Sequence, residues 1–458
     1  MKKFVVLFLA FIITCTSSFG EVNTDNENLI SGIWLGKMQV SEKLELQLGF
    51  IITKNERGVL TATMNVIEQK AFDIPMDKVS FRNDSLQIEM TSAGISYSGK
   101  FNSENQTILG TYVQGEAKME LNLSEVDKLP GEVERPQTPA RPFPYREEVI
   151  IFENITDNIQ LAGTITSPDS ETPSPAVILV AGSGHTDRNE TKMGHFLLLA
   201  DYLTRNGIVV LRYDKRGVGE STGDYDKATT YDFASDVKAG IKYLKNRKDV
   251  DSKNIGIIGH SEGALIAPMI ASESDDLAFI ILMGGSGVPG DEIRLMQTEK
   301  IARVNGVPDN SITQELEQIR YYHDIIKSTE NDENKQLAIK NQYPEMSDGL
   351  IGYLLKPWYQ NFIIINPKDY LEKVKCPVLA ITGENDLQCP AAENLPEIES
   401  ALQKGGNKDF SIQTLPELNH LFQTSKSGSP TEYENIAEII APSALEYLNS
   451  WIALKIRN

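Results

Sequence analysis

Residues 255–271 read Ile255-Gly256-Ile257-Ile258-Gly259-His260-Ser261-Glu262-Gly263-Ala264-Leu265-Ile266-Ala267-Pro268-Met269-Ile270-Ala271. The stretch opens on a short apolar run and closes on a helical one, with Gly259-His260-Ser261-Glu262-Gly263 at the join. That pentad fits G-x-S-x-G, a serine on a sharp strand-to-helix turn. Such a turn forces strained dihedrals on the serine and brings its neighbours together, which glycines on both sides allow. The context identifies Ser261 as a nucleophile more strongly than the five-residue pattern alone.

Working outward, Ala176–Ala181, Ile208–Tyr213, Ala278–Met283 and Val378–Thr382 are equally short and almost wholly apolar. Strands of a parallel sheet, buried on both faces, read this way. Helical patterns such as Thr230–Lys245 lie between them, and Glu147–Glu153 and Ile159–Thr166 read as strands before them. The expected fold is α/β, a doubly wound, mostly parallel sheet over residues 147–458. More than ninety residues separate Met283 from Val378 without a clear buried strand. A structureless loop of that length is implausible, so residues 284–370 are expected to form a helical cap inserted in the domain.

Upstream the period changes. From residue 25 to 126, runs such as Leu44-Glu45-Leu46-Gln47-Leu48, Leu60–Met64 and Ser85–Met90 alternate apolar with polar. That is the signature of strands with one buried face, so a small antiparallel all-β domain, barrel or sandwich, is expected. Its Trp34, Phe50 and Tyr97 are read as core. Pro130, Pro136, Pro139, Pro142 and Pro144 mark residues 127–146 as an extended linker.

An activated serine needs a base and an acid that orients it. On a strand–turn–helix nucleophile of the α/β-hydrolase kind the chain order is serine, acid, histidine. His323 and His420 are the histidines after Ser261; His323 falls in the cap, while His420 follows Phe410–Leu415, the expected last strand. His420 is therefore the candidate base. The acid should follow Val378–Thr382, in Gly383-Glu384-Asn385-Asp386; Asp386 is the first choice and Glu384 the second. Two backbone N–H groups should receive the oxyanion. One is that of Glu262; the other belongs to the loop Ala181-Gly182-Ser183-Gly184-His185, with Ser183 first and Gly184 second.

With these pieces in view, residues 147–458 resemble bacterial carboxylesterases of the α/β-hydrolase superfamily. The resemblance rests on Leu179-Val180-Ala181-Gly182-Ser183-Gly184, Asp187-Arg188, Tyr213-Asp214-Lys215-Arg216-Gly217-Val218-Gly219-Glu220-Ser221, the Ser261 pentad, Gly383–Asp386 and Leu418-Asn419-His420. It implies that Asp214 and Arg216 are structural, in the turn after a strand. Ala181 departs from the pattern, since many relatives carry histidine there. The preceding β-domain makes the whole chain similar to exported serine carboxylesterases. The resemblance implies hydrolysis of a small-molecule ester through an acyl-enzyme, with no metal or organic cofactor. A peptidase on the same triad is the first alternative, and a non-catalytic binding protein using the β-domain is the second.

Composition narrows the partners. Hydrophobic residues make up 40% and charged residues 24%, enough for real cores. Lys2 and Lys3, the apolar run Phe4–Ile13 and Ser17-Ser18-Phe19-Gly20 read as a signal peptide over residues 1–20, cleaved after Gly20. Lipid attachment at Cys15 is the competing reading, and periplasmic or extracellular location is expected either way. Removing the leader takes the formal charge from −20 to 42 − 64 = −22, which disfavours nucleic acid and anionic membranes. No window beyond the leader has the length of a membrane span. No HExxH or paired-cysteine spacing marks a metal site. Cys376 and Cys389 flank a strand whose rise of roughly 16 Å exceeds disulfide reach, so both are expected to be free.

Overall fold

A computed structural model describes residues 29–456 apart from 42–43, 55–57, 70, 116, 132 and 191–192; the leader and Cys15 lie outside the described residues. The chain divides into two compact units, Met1–Glu132 and Val133–Asn458.

The first unit is one continuous antiparallel sheet. Alternation puts Leu48, Phe50 and Ile52 of the strand Leu44–Lys54 on the same side, all buried, while the turn Asn83-Asp84 reverses the chain with positive φ at both residues. Two consecutive left-handed residues give a two-residue hairpin the twist its strands require. Trp34, Phe50 and Tyr97 are fully buried in one core, as their apolar setting predicts.

The second unit carries an eight-stranded sheet. Its strands are β1 (Arg146–Asn154), β2 (Ile159–Ser167), β3 (Ser174–Val180), β4 (Val209–Tyr213), β5 (Val250–His260), β6 (Phe279–Met283), β7 (Val378–Gly383) and β8 (Phe410–Leu415). The order is β1-β2-β4-β3-β5-β6-β7-β8; β1 and β2 pair antiparallel, β2 meets β4 antiparallel, and every later pairing is parallel. Flanking helices include α1 (His195–Arg205), α2 (Thr230–Lys245) and α3 (Glu262–Ala271). Separate apolar layers on the two faces explain why β3 to β7 lack alternation: Ile178 and Ile257 feed one layer, Val177 and Ile258 the other. Part of the proline-rich stretch binds this unit, with Gln137 Nε2 donating to Ile440 O at 2.7 Å and Arg135 donating to Glu434 O at 3.2 Å.

Between β6 and β7 the chain forms α4 (Gly290–Val304), α5 (Asp309–Lys327), α6 (Asp332–Gln342), α7 (Asp348–Leu354), α8 (Pro357–Phe362) and α9 (Lys368–Leu371). The long gap in the strand pattern is thus helical. The unit closes with α10 (Ala391–Lys404) and α11 (Pro442–Lys455). Cys376 and Cys389 are free thiols.

Candidate active site

β5 ends at His260 and α3 begins at Glu262, so Ser261 alone makes the turn, at φ 55° and ψ −115°. A non-glycine residue there costs about 1–3 kcal/mol and persists only where its surroundings over-determine it. Here Ser261 N donates to Met283 O of β6 at 2.9 Å, and Ser261 O accepts from Ala264 N at 2.9 Å. The flanking glycines are steric necessities: a Cβ on Gly259 would lie 2.1 Å from Gly263 O, and one on Gly263 1.9 Å from Val180 O. Among the described residues Ser261 Oγ has no hydrogen-bond partner. It faces a pocket walled by Leu265, Ile293, Trp358, Phe362 and Ile365.

The turn after β7 carries Asp386, and the loop after β8 carries His420. Both are buried, 2% and 3% exposed. Asp386 Oδ2 lies 2.8 Å from His420 Nδ1, while Oδ1 accepts from Gln388 N and Cys389 N, each at 2.8 Å. A carboxylate accepts, so this contact favours the tautomer whose hydrogen is on Nδ1. Gly284, at φ +59°, leaves the room: a Cβ there would come within 3.1 Å of His420 Nδ1. Glu384, the second-choice acid, instead accepts from Glu417 N at 3.0 Å and ties the two loops together. His323 is held in the helical insertion by Tyr359 Oη at 2.9 Å.

His260, next to Ser261 in the chain, joins the two halves. Its Nε2 donates to His420 O at 2.9 Å, and its ring centroid is 4.8 Å from that of His420. Burial, with His420 and His195 adding, pushes the His260 pKa down to about 3, so the ring is neutral. Among the described residues no hydrogen bond joins Ser261 Oγ to His420 Nε2; such bonds are often long before substrate binds. Behind His260, Glu190 and His195 complete the group of metal-ligand type whose atoms lie within 4.8 Å of one another. Those three fall short of the four ligands of a structural zinc site, and His260 and His195 each spend Nε2 on a backbone carbonyl.

The loop after β3 is fixed on both sides of Ser183. Lys215 Nζ donates to Gly182 O at 2.5 Å, and Gly184 N donates to Tyr225 Oη at 3.0 Å. Gly184 N–H is therefore occupied, and Ser183 is the residue of this loop that lines the pocket. As the first residue of α3, Glu262 has an N–H without an intrahelical acceptor. Its buried carboxylate accepts from Thr230 Oγ1 at 2.8 Å and from Trp358 Nε1 of α8 at 2.7 Å, and stands 3.5 Å from Lys215 Nζ. Desolvation lowers the Lys215 pKa, and Glu262 opposes the shift. Lys215 was visible in the sequence only as part of a turn motif, and Trp358 was not singled out at all; each gets its role from a contact distant in sequence. Asp214 binds Arg188 through Nε at 3.0 Å and Nη2 at 2.7 Å, and Arg216 binds Asp236 at 2.8 Å, which fits structural roles.

The chain is 28% identical over 279 residues to Esterase EstD of Thermotoga maritima, covering 60% of this chain and 61% of that one. It is 33% identical over 120 residues to an acyl transferase of Photorhabdus luminescens, 26% of this chain and 37% of the relative. The matched stretches thus span less than two thirds of these relatives. Among solved structures, Pyrococcus furiosus esterase Pf2001 aligns with a TM-score of 0.44 at 18% identity over 71% of this chain and 97% of that one. Est1E of Butyrivibrio proteoclasticus with ferulic acid bound gives 0.40 at 18% identity over 68% and 100%. Residues 173–425, more than half of the chain and the part that holds Ser183, Ser261, Asp386 and His420, match the family described as Hydrolase_4, serine aminopeptidase, S33, and the protein belongs to that family of α/β-hydrolases.

Proposed function

We propose that the protein hydrolyses carboxylic esters, short-chain acyl esters above all, through an acyl-enzyme on Ser261. The observation that carries the reading is the buried Asp386–His420 pair, packed on His260, the chain neighbour of Ser261, whose hydroxyl has no hydrogen-bond partner among the described residues and which lines a pocket. In this mechanism His420 Nε2 takes the Ser261 proton as Oγ attacks the ester carbonyl. Asp386 holds the tautomer and stabilises the imidazolium, and the Ser183 and Glu262 N–H groups receive the oxyanion. His420 then protonates the leaving alkoxide, and water, activated by the same ring, frees the acid and restores Ser261. The helical insertion acts as a cap, with Trp358 and Phe362 limiting acyl length. The leader over residues 1–20 would carry the enzyme out of the cytoplasm.

Peptidase action on an N-terminal amine is disfavoured by the pocket's charges. An ammonium group needs a carboxylate to receive it, and Glu262, the carboxylate among the described lining residues, is committed to Lys215, Thr230 and Trp358. Arg294 lines the same pocket and would repel it. The test compares 4-nitrophenyl acetate and butyrate with aminoacyl and prolyl anilides, using Ser261→Ala as control. Ester turnover should dominate and Ser261→Ala should abolish both it and fluorophosphonate labelling. Higher kcat/KM on any anilide would promote the peptidase reading.

A further inference from the structure

Arg294, on the second turn of α4, is the cation among the described residues lining the pocket that holds Ser261. Its bonding there is incomplete. Nη1 donates to Gln297 Oε1 at 2.9 Å, and the guanidinium also hydrogen-bonds the Tyr359 side chain and lies 5.9 Å from the centroid of that ring. Nε is buried with no hydrogen-bond partner, and no carboxylate forms an ion pair with Arg294 among the described residues. The contrast with other arginines of this unit is sharp: Arg188, Arg212 and Arg216 each bind at least one carboxylate. Arg294 is partly exposed, yet its Nε is sealed off, and burying part of a cation without a counter-charge is costly. The groups that meet the guanidinium, Gln297 and Tyr359, carry no negative charge, and Ile293, Phe362 and Ile365 line the same pocket. A planar fork with unspent donors, in an apolar wall, is the arrangement that recognises a carboxylate.

We propose that Arg294 is a specificity residue that binds a carboxylate on the substrate, so that the preferred esters carry a negative charge near the scissile bond. The inference rests on the ester reading above and narrows its substrate class. The carboxylate can belong to the acyl part, as in a hemiester of a dicarboxylic acid, or to the alcohol part. Either would complete the Nε and Nη donors inside the pocket and bring the carbonyl to Ser261.

Two substrate pairs separate the sources: 4-nitrophenyl hemiglutarate against 4-nitrophenyl valerate for the acyl side, and 3-carboxyphenyl butyrate against phenyl butyrate for the alcohol side. Wild-type enzyme should favour the anionic member of one pair at least tenfold in kcat/KM. Arg294→Gln should erase that preference mainly through KM, lowering kcat/KM for the anionic member by at least ten times the factor it costs the neutral one; Arg294→Lys should restore part of it. Equal preference in both pairs, or an equal loss on charged and neutral esters in Arg294→Gln, would overturn the proposal. Glutarate binding, read as a change in tryptophan fluorescence, tests Arg294 without catalysis. A response in wild type that is lost in folded Arg294→Gln supports the anion site even if no ester is turned over. No wild-type response up to tens of millimolar counts against it, whatever esters are cleaved.

Discussion

Asp386 and Glu384 follow the same strand two residues apart, and the direction of their side chains separates them. Asp386 turns inward to His420 Nδ1, and Glu384 turns to the Glu417 backbone. Asp386→Asn replaces an acceptor with a group that can donate to Nδ1 and so favours the wrong histidine tautomer. We expect kcat on 4-nitrophenyl acetate to fall by about three to four orders of magnitude. Glu384→Gln keeps an oxygen for Glu417 N–H and should stay within severalfold of wild type. The opposite pattern would move the acid to Glu384. Ser261, the loop of Ser183 and His420 were legible as candidates because a strained turn demands glycines and because the order of strands assigns each loop its place. Between the two carboxylates the sequence put Asp386 first and Glu384 second from their place after the strand alone, since burial and hydrogen-bond direction leave no mark on a four-residue turn. Arg294 was invisible for a related reason: on a charged helix it reads as one more solvated residue until its missing counter-ion is seen.

At the scale of elements, the sheet was readable almost strand by strand, because burial on both faces writes itself as continuous apolar runs. The helical insertion was readable only as an interruption. Its inner face depends on which residues meet the elbow, as Trp358 does through Glu262, and local periodicity does not encode that. His323 gives this element a pH dependence. Its Nε2 meets Tyr359 Oη while Nδ1 is buried without a partner. Burial pushes its pKa down to about 4, with Asp291 opposing and Lys327 and Arg294 reinforcing. A histidine depressed in the folded state binds its proton first when unfolded. Its contribution to stability is therefore intact above the ordinary value of about 6.5 and is lost as pH falls from there towards 4. The slope is on the order of 1 kcal/mol per pH unit. His260 shifts in the same direction, so the informative quantity is a difference. His323→Gln should be less stable than wild type at pH 7.5, and the gap should narrow steadily by pH 4.5 when melting is followed by circular dichroism. Parallel stability curves for the two proteins would show that His323 does not titrate this way.

For the whole molecule, the division of labour between the units follows from where the chemistry lies. Ser183, Ser261, Glu262, Arg294, Trp358, Asp386 and His420 all belong to the unit Val133–Asn458, as do both apolar layers that hold the sheet. The first unit closes its own core around Trp34, Phe50 and Tyr97. Each unit has the internal apolar content of an independently folding domain. A chain begun at residue 133 retains Arg135 and Gln137, whose side chains bind Glu434 and Ile440, so the cut leaves those contacts whole. We expect this fragment to fold and to hydrolyse 4-nitrophenyl acetate with kcat/KM within about threefold of the full chain, because the described residues that line the pocket of Ser261 all come after residue 133. The fragment and the full chain should be compared for ester turnover, fluorophosphonate labelling and melting temperature. A folded fragment that labels poorly or loses turnover would mean that the first unit contributes to the site itself, and the function of the enzyme would then have to be argued from both units together.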